Sequence, residues 1–146
     1  MGKANATGRT HKKTDRFFPA HHSILASPAW LRLSANAKAA WLQIGLLYNG
    51  TNNGALAVSC RRLGHQLNIS KDSAARAIND LVTCGFLEVT AASSFSRKRL
   101  ATEYRLTQFK CDRTGESPSR AFQNLGKTAA AHSPCGEAHR RATGTP

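Results

Sequence analysis

An α+β fold, mainly α, with a small two- to three-stranded β-sheet and polar, basic ends is predicted by this 146-residue sequence. Three observations predict it. Two short helical patterns, at 60–67 and 70–84, are separated by a turn of only about three residues, too short for antiparallel packing, so the two helices must cross steeply. Two strand patterns follow directly, joined by a long polar connection with a basic tip. The formal net charge is +13, from 21 Lys+Arg against 8 Asp+Glu.

The elements follow in order. Residues 1–16 are polar, bear Lys and Arg, and have almost no bulky apolar group; they are expected to be a disordered basic arm. Phe17, Phe18 and Pro19 mark the approach to a folded domain expected to span 17–110. Ser27-Pro28 starts a short helix, with Ser as N-cap and Pro at the first helical position. Its apolar contribution is Trp30 and Leu31. Ser34 caps the next helix, where Ala37, Ala40, Trp41, Ile44, Leu47 and Tyr48 recur at spacings of three and four, ending near Tyr48. Asn49-Gly50 and Asn52-Asn53-Gly54 are turn formers. Ala55–Val58 is a short strand with Leu56 and Val58 on one face.

Ser59 caps a helix over Cys60–Leu67, with Leu63 and Leu67 inward, and Asn68 suits a left-handed C-cap. Ser70 caps the following helix, which reaches about Cys84 and stops at Gly85. Phe86–Thr90 and Thr102–Thr107 read as strands, the second with Tyr104 and Leu106 on one face and Glu103 and Arg105 on the other. Between them Ala91–Ala101 is polar and basic. This order is the outline of a winged helix-turn-helix. Residues 111–146 are rich in Gly, Ser, Thr, Ala, Pro and His, and are expected to be a flexible basic tail with at most a helical turn near Ala121–Leu125.

On a helical wheel Ala74, Ala77, Ile78, Leu81 and Val82 fall together, with Asp72, Arg76, Asn79 and Thr83 opposite. The first set must pack inward. The second faces outward with groups that donate and accept hydrogen bonds. At a helix N-terminus Ser70, Lys71 and Ser73 are placed to meet phosphate oxygens. Arg76 suits guanine and Asn79 adenine, each by paired hydrogen bonds. Asp72 would accept from cytosine or orient Arg76 from one turn away. Ala75 is small enough to lie against a groove wall. In the wing, Ser94, Ser96, Arg97, Lys98 and Arg99 are placed for phosphates or the minor groove; Arg61 and Arg62 are candidates for phosphate, and Lys12 and Lys13 for added contacts from the arm. The competing reading is a solvated face and a soluble, aggregation-resistant loop. The tight turn before the helix and the hairpin after it favour nucleic acid.

The excess charge is spread over the chain: +4 in 1–22, +6 in 23–109 and +3 in 110–146. Sign alone attracts any polyanion. No apolar run approaches the ~20 residues of a membrane span, and the N-terminus has no apolar stretch of a secretory signal, so a cytoplasmic, nucleoid-associated location and no membrane partner are expected. Cys60, Cys84, Cys111 and Cys135 are at least 24 residues apart, so no paired metal clamp exists. Cys135 with His132 and His139 is a poor zinc fragment, and Cys60 and Cys84 are expected half-buried near helix ends. No carboxylate pair is set for acid–base work, no phosphate-binding glycine loop is present, and His21, His22 and His65 read as structural or surface residues. No enzyme activity, cofactor, metal or small-molecule ligand is expected.

The stretch resembles small bacterial winged-helix proteins of phages, plasmids and other integrated elements, and is similar to the N-terminal winged-helix domains of some replication initiators. The resemblance spans Phe18 to Cys111. It rests on Asn52-Asn53-Gly54 before the first strand, the pattern S-x-x-x-A-x-R-A-x-x-x-L-x-x-x-G-F of Ser70–Phe86, and SF-x-x-K followed by ATEYRLT between Ser94 and Thr107. It implies a winged-helix fold and binding to double-stranded DNA. The expected function is sequence-specific DNA binding by a transcriptional regulator. The alternatives are a replication or mobile-element accessory protein, or a winged-helix protein-interaction module. A homodimer through the Pro28–Leu31 helix with Trp30 and Phe17-Phe18, and a protein partner engaged by the tails, are left open.

Overall fold

Serine oxygens set the helix starts. Ser27 accepts from the amide of Trp30 at 3.2 Å, Ser34 from Ala37 at 3.2 Å, Ser59 from Arg62 at 3.5 Å and Ser70 from Ser73 at 3.1 Å; each such cap contributes about 1 kcal/mol. They open α2 (Pro28–Arg32), α3 (Ala35–Gly45), α4 (Cys60–Leu67) and α5 (Lys71–Thr83). The structure, a computed structural model, describes residues 16–93 and 101–126. The arm and the distal tail, and their expected flexibility, lie outside the described residues.

A further helix precedes these, α1 (His22–Leu25), which buries Ile24. At four residues it is too short to show a period. Trp30 of α2 packs partly buried on the core, while Leu31 stays exposed and Ala29 is the residue fully buried. α3 stops at Gly45 rather than near Tyr48. Its last turn tightens through amide bonds from Leu47 to Ile44 and from Tyr48 to Gly45, the i to i−3 pattern that satisfies terminal carbonyls.

β1 (Leu56–Val58), β2 (Leu87–Ala91) and β3 (Thr102–Leu106) form an antiparallel sheet in the order β1-β3-β2. Leu56 lies opposite Tyr104 and Leu87 opposite Leu106, with a bulge between Val89 and Ala91. The inner faces meet the helices over Trp41, Ile44, Leu81, Phe86 and Leu106, all fully buried. An aromatic chain crosses this core: Phe18 to Trp41 (4.8 Å between ring centroids), Trp41 to Trp30 (5.2 Å), Trp30 to Phe86 (5.8 Å) and Phe86 to Phe122 (5.0 Å). Cys84, at the end of α5, is fully rather than half buried.

Phe122 belongs to the part expected to be a flexible tail. The packed body continues beyond residue 110: Cys111 is buried, residues 111–120 lie over the outer face of the sheet, and a 3-10 helix, Ala121–Gly126, stacks Phe122 on Phe86. Gly85 permits this return. Its φ is +79°, and a Cβ there would meet the Ala121 carbonyl carbon at 2.6 Å. One aromatic ring and a set of ion pairs hold a segment whose composition otherwise reads as loop.

Asn53 ties the parts together. It is fully buried. Its amide group donates to the carbonyls of Leu106 (3.0 Å), Phe109 (3.3 Å) and Lys110 (2.9 Å), and its side-chain oxygen accepts from the Leu106 amide at 2.7 Å. Its own amide donates to Asp112 Oδ2 at 2.9 Å, and its carbonyl accepts from the Asp112 amide at 2.8 Å. A residue that reads locally as a turn former thus satisfies backbone groups that burial would otherwise leave unpaired.

Candidate nucleic-acid interface

The turn between α4 and α5 is built from three residues. Asn68 takes the left-handed conformation, φ 55° and ψ 40°, with its amide directed to Gly64 and His65 carbonyls. The Ile69 amide donates to the Gly64 carbonyl at 2.9 Å. Gly64 allows the close approach: a Cβ there would stand 2.9 Å from the Ile69 oxygen. Sequence reading passes over Gly64, yet a mid-helix glycine, which costs about 1 kcal/mol against Ala, just before a tight turn is a usable sign of close packing.

α5 divides as the wheel requires. Ala74, Ala77, Ile78 and Leu81 are buried against α3 and α4, with Val82 partly so. Lys71, Asp72, Arg76, Asn79 and Thr83 are exposed, and Ser73 and Ala75 are half-buried. The Ser70 hydroxyl donates to Ser73 Oγ at 2.9 Å while accepting the Ser73 amide. Asp72 stands in the first turn of α5, where a carboxylate complements the helix dipole. No ion pair joins it to Arg76 among the described residues. Arg61 and Arg62 are exposed in the first turn of α4.

The distribution of partners separates these cations from the two arginines over the sheet. Arg105 bonds Glu88 through two nitrogens and Glu116 at 2.7 Å, and Arg113 pairs with Glu103 at 2.6 Å. Burial alone would lower the Arg105 pKa; the hydrogen bond and charge of Glu88, with the charge of Glu116, more than reverse this and hold it above its ordinary value. Asp112 accepts from Asn53, and Asp80 from the Ser34 hydroxyl at 3.3 Å. Most described carboxylates are thus engaged away from the outward face of α4 and α5. Arg61, Arg62, Lys71 and Arg76 form no ion pair among the described residues.

Ser94, Ser96, Arg97, Lys98 and Arg99 lie outside the described residues, as do Lys12 and Lys13. What is described is the base of the hairpin, where β2 ends at Ala91 and β3 begins at Thr102. His65 is exposed and Cys60 half-buried at opposite ends of α4, and among the described residues no group of His, Cys, Asp and Glu is arranged to hold a metal. No described helix is long and apolar enough to cross a membrane.

Residues 31–87 match the sequence model of a family described as a helix-turn-helix domain. The matched stretch runs from α2 to the first residue of β2 and so contains α3, β1, α4 and α5. No curated protein and no solved structure matches the chain. The chain therefore carries a winged helix-turn-helix fold, and the matched domain supports DNA as its partner.

Proposed function

We propose that the protein binds specific sequences of duplex DNA as a transcriptional regulator. In this reading α5 lies in the major groove. Arg76 pairs with guanine, Asn79 with adenine, Asp72 accepts from cytosine, and Ala75 lies against the groove wall. Ser70, Lys71 and Ser73 meet phosphate at the N-terminus of α5, with Arg61 and Arg62 on the neighbouring backbone. Ser94, Ser96, Arg97, Lys98 and Arg99 reach phosphate or the minor groove from the hairpin, and Lys12 and Lys13 add contacts from the arm. The observation that carries the reading is the set of exposed cations on α4 and α5, the two helices of the tight turn, that form no ion pair among the described residues. The resemblance to proteins of integrated elements and replication initiators supports a second reading, an accessory protein bound at an origin or recombination site. Both place the protein in the cytoplasm, on the nucleoid.

Selection of bound fragments from random duplex DNA, at about physiological salt, tests this. A recovered motif is expected. Arg76→Ala should then lose about 1–3 kcal/mol of discrimination at one base pair. Binding with no motif would overturn sequence-specific regulation in favour of an architectural role, and a motif found only at origins or recombination sites would select the second reading. No binding would leave the protein-interaction module.

A further inference from the structure

Trp30 and Phe18 are consumed inside the protomer: Trp30 packs edge-on against Trp41 and Phe86, and Phe18 against Trp41 and Phe109. Phe17 stays outside at 83% exposure. With Arg16, Phe18, Leu46 and Tyr48 it lines an open cleft of about 470 Å³, a volume within the roughly 300–1,000 Å³ of ligand pockets. Leu46, at the end of α3, is 69% exposed and Leu42, one turn earlier, 51%. Exposed apolar surface rimmed by polar groups marks an interaction site. Its charge is one-sided. Arg16 donates through Nη2 to the Tyr48 carbonyl at 3.2 Å and forms no ion pair among the described residues, so the guanidinium is held at the cleft with its charge intact. From Arg16 to Lys71 the chain carries six Lys or Arg and no Asp or Glu. The carboxylate whose charge reaches Tyr48 is that of Asp112, on the return segment, and it already accepts the Asn53 amide.

We infer that this cleft, with Leu42 one turn away, docks an acidic peptide segment of a partner protein, one that sets large apolar side chains between Asp and Glu. Charge complementarity names the occupant. The chain's own ends have the wrong sign and no anchor. Residues 1–15 hold four Lys or Arg against one Asp, residues 127–146 three against one Glu, and neither stretch contains Leu, Ile, Val, Phe, Tyr or Trp. A second copy, at +13, is repelled as well. Single-stranded nucleic acid has the right sign, but it needs a run of cations along its backbone and flat rings for its bases. Among the described residues Arg16 is the one cation lining the cleft, and Leu42 and Leu46 supply aliphatic surface. An acidic amphipathic segment meets both demands. A carboxylate pairs with the Arg16 guanidinium in a charge-assisted bond. An apolar side chain enters between Phe17 and Leu46, and the next lies on Leu42, the anchor pattern of a helix or short strand in a groove. The area falls short of the roughly 800 Å² per partner of a standing complex, so the contact is transient. None of the residues proposed to meet DNA lines this cleft, and the contact does not rest on DNA binding.

Selection from a random displayed-peptide library tests this, on the full chain in about 0.15 M salt with counter-selection on Phe17→Ser, Leu46→Gln, a paired variant of unchanged net charge. Peptides kept by the parent and released by the variant are expected, rich in Asp and Glu with Leu or Phe between them. A synthetic copy of the selected sequence should bind the paired variant, and separately Arg16→Gln, roughly tenfold more weakly, at unchanged melting temperature. Should the paired variant melt lower, Arg16→Gln, which lies outside every helix and strand, carries the test alone. Failure of any peptide to separate parent from variant, or separating peptides that are basic or uncharged, overturns the inference. So does binding of poly(dT) or of phosphatidylserine vesicles that is lost in the same variant, which would assign the cleft to single strands or to a membrane surface. Absence of duplex DNA binding would remove the proposed function while leaving this result standing.

Discussion

Two faces of the domain carry arginines, and they treat them in opposite ways. Over the sheet, Arg105 lies between Glu88 and Glu116, and Arg113 meets Glu103, so charge is cancelled within the protein. On α4 and α5, Arg61, Arg62, Lys71 and Arg76 have no such partner among the described residues. Arginine content is similar; what differs is where the fold sends its carboxylates. A guanidinium already held by two carboxylates has little attraction left for phosphate, whereas an unpaired one keeps its full charge for an outside anion. Net charge alone would have treated both faces as equivalent.

The comparison can be broken by substitutions that should divide into stability effects on one side and binding effects on the other. The largest expected change is from Asn53→Ala, which strips partners from the Leu106 amide and from the carbonyls of Leu106 and Lys110. It should lower stability by about 3 kcal/mol, read by denaturant unfolding. A loss below about 1 kcal/mol would mean that water replaces the side chain. Replacing Arg61, Arg62 and Lys71 together by Gln should leave the unfolding midpoint in place and reduce the slope of log affinity against log salt by about 2–3; an unaltered slope would take that face out of phosphate contact.

Smaller still is the response to alkali. Burial raises the Tyr104 phenol above its ordinary value of 10.0, and burial with the charge of Asp112 raises Tyr48. A raised folded-state pKa contributes stability that is full below the unfolded value and is lost as pH rises through the folded one. Stability should therefore fall above pH 10, and Tyr104→Phe should flatten that fall in a pH series of melts. The smallest effect is expected from Arg113→Gln. Its ion pair is half open to solvent, with side chains 53% and 34% exposed, so it should cost less than about 1 kcal/mol and leave the salt slope of DNA binding unchanged. A flattened slope in this variant would show that the sheet face also meets phosphate.

What was legible in sequence was what local chemistry decides. The serine caps, the left-handed Asn68, Gly85 after α5 and the two faces of α5 each follow from a few neighbouring residues. Strand ends shifted by about one residue, because β2 is set by its register with β3 and not by its own pattern. The missing parts were decided at a distance. α1 is shorter than any period. The role of Asn53 depends on carbonyls up to 57 positions away. The segment after Lys110 is held by Phe122 and by partners of Glu88, Glu103 and Arg105, none of which its own composition announces. At the interface, the residue types could be read, but that their charges stay unpaired could not, since it depends on carboxylates captured across the sheet.

The return of the chain over the sheet has a consequence for the order of assembly. β3 is the central strand, and it pairs both β1 and β2. The polar groups of Asn53 find their partners in residues 106–113. During synthesis the helices can form from local contacts as they emerge, but β1 and β2 wait with open edges, and Asn53 with unmet hydrogen bonds, until the stretch through Asp112 has left the ribosome. A translation product that stops after α5 would carry the helix-turn-helix without the sheet that clamps it, so the finished domain appears late and all at once.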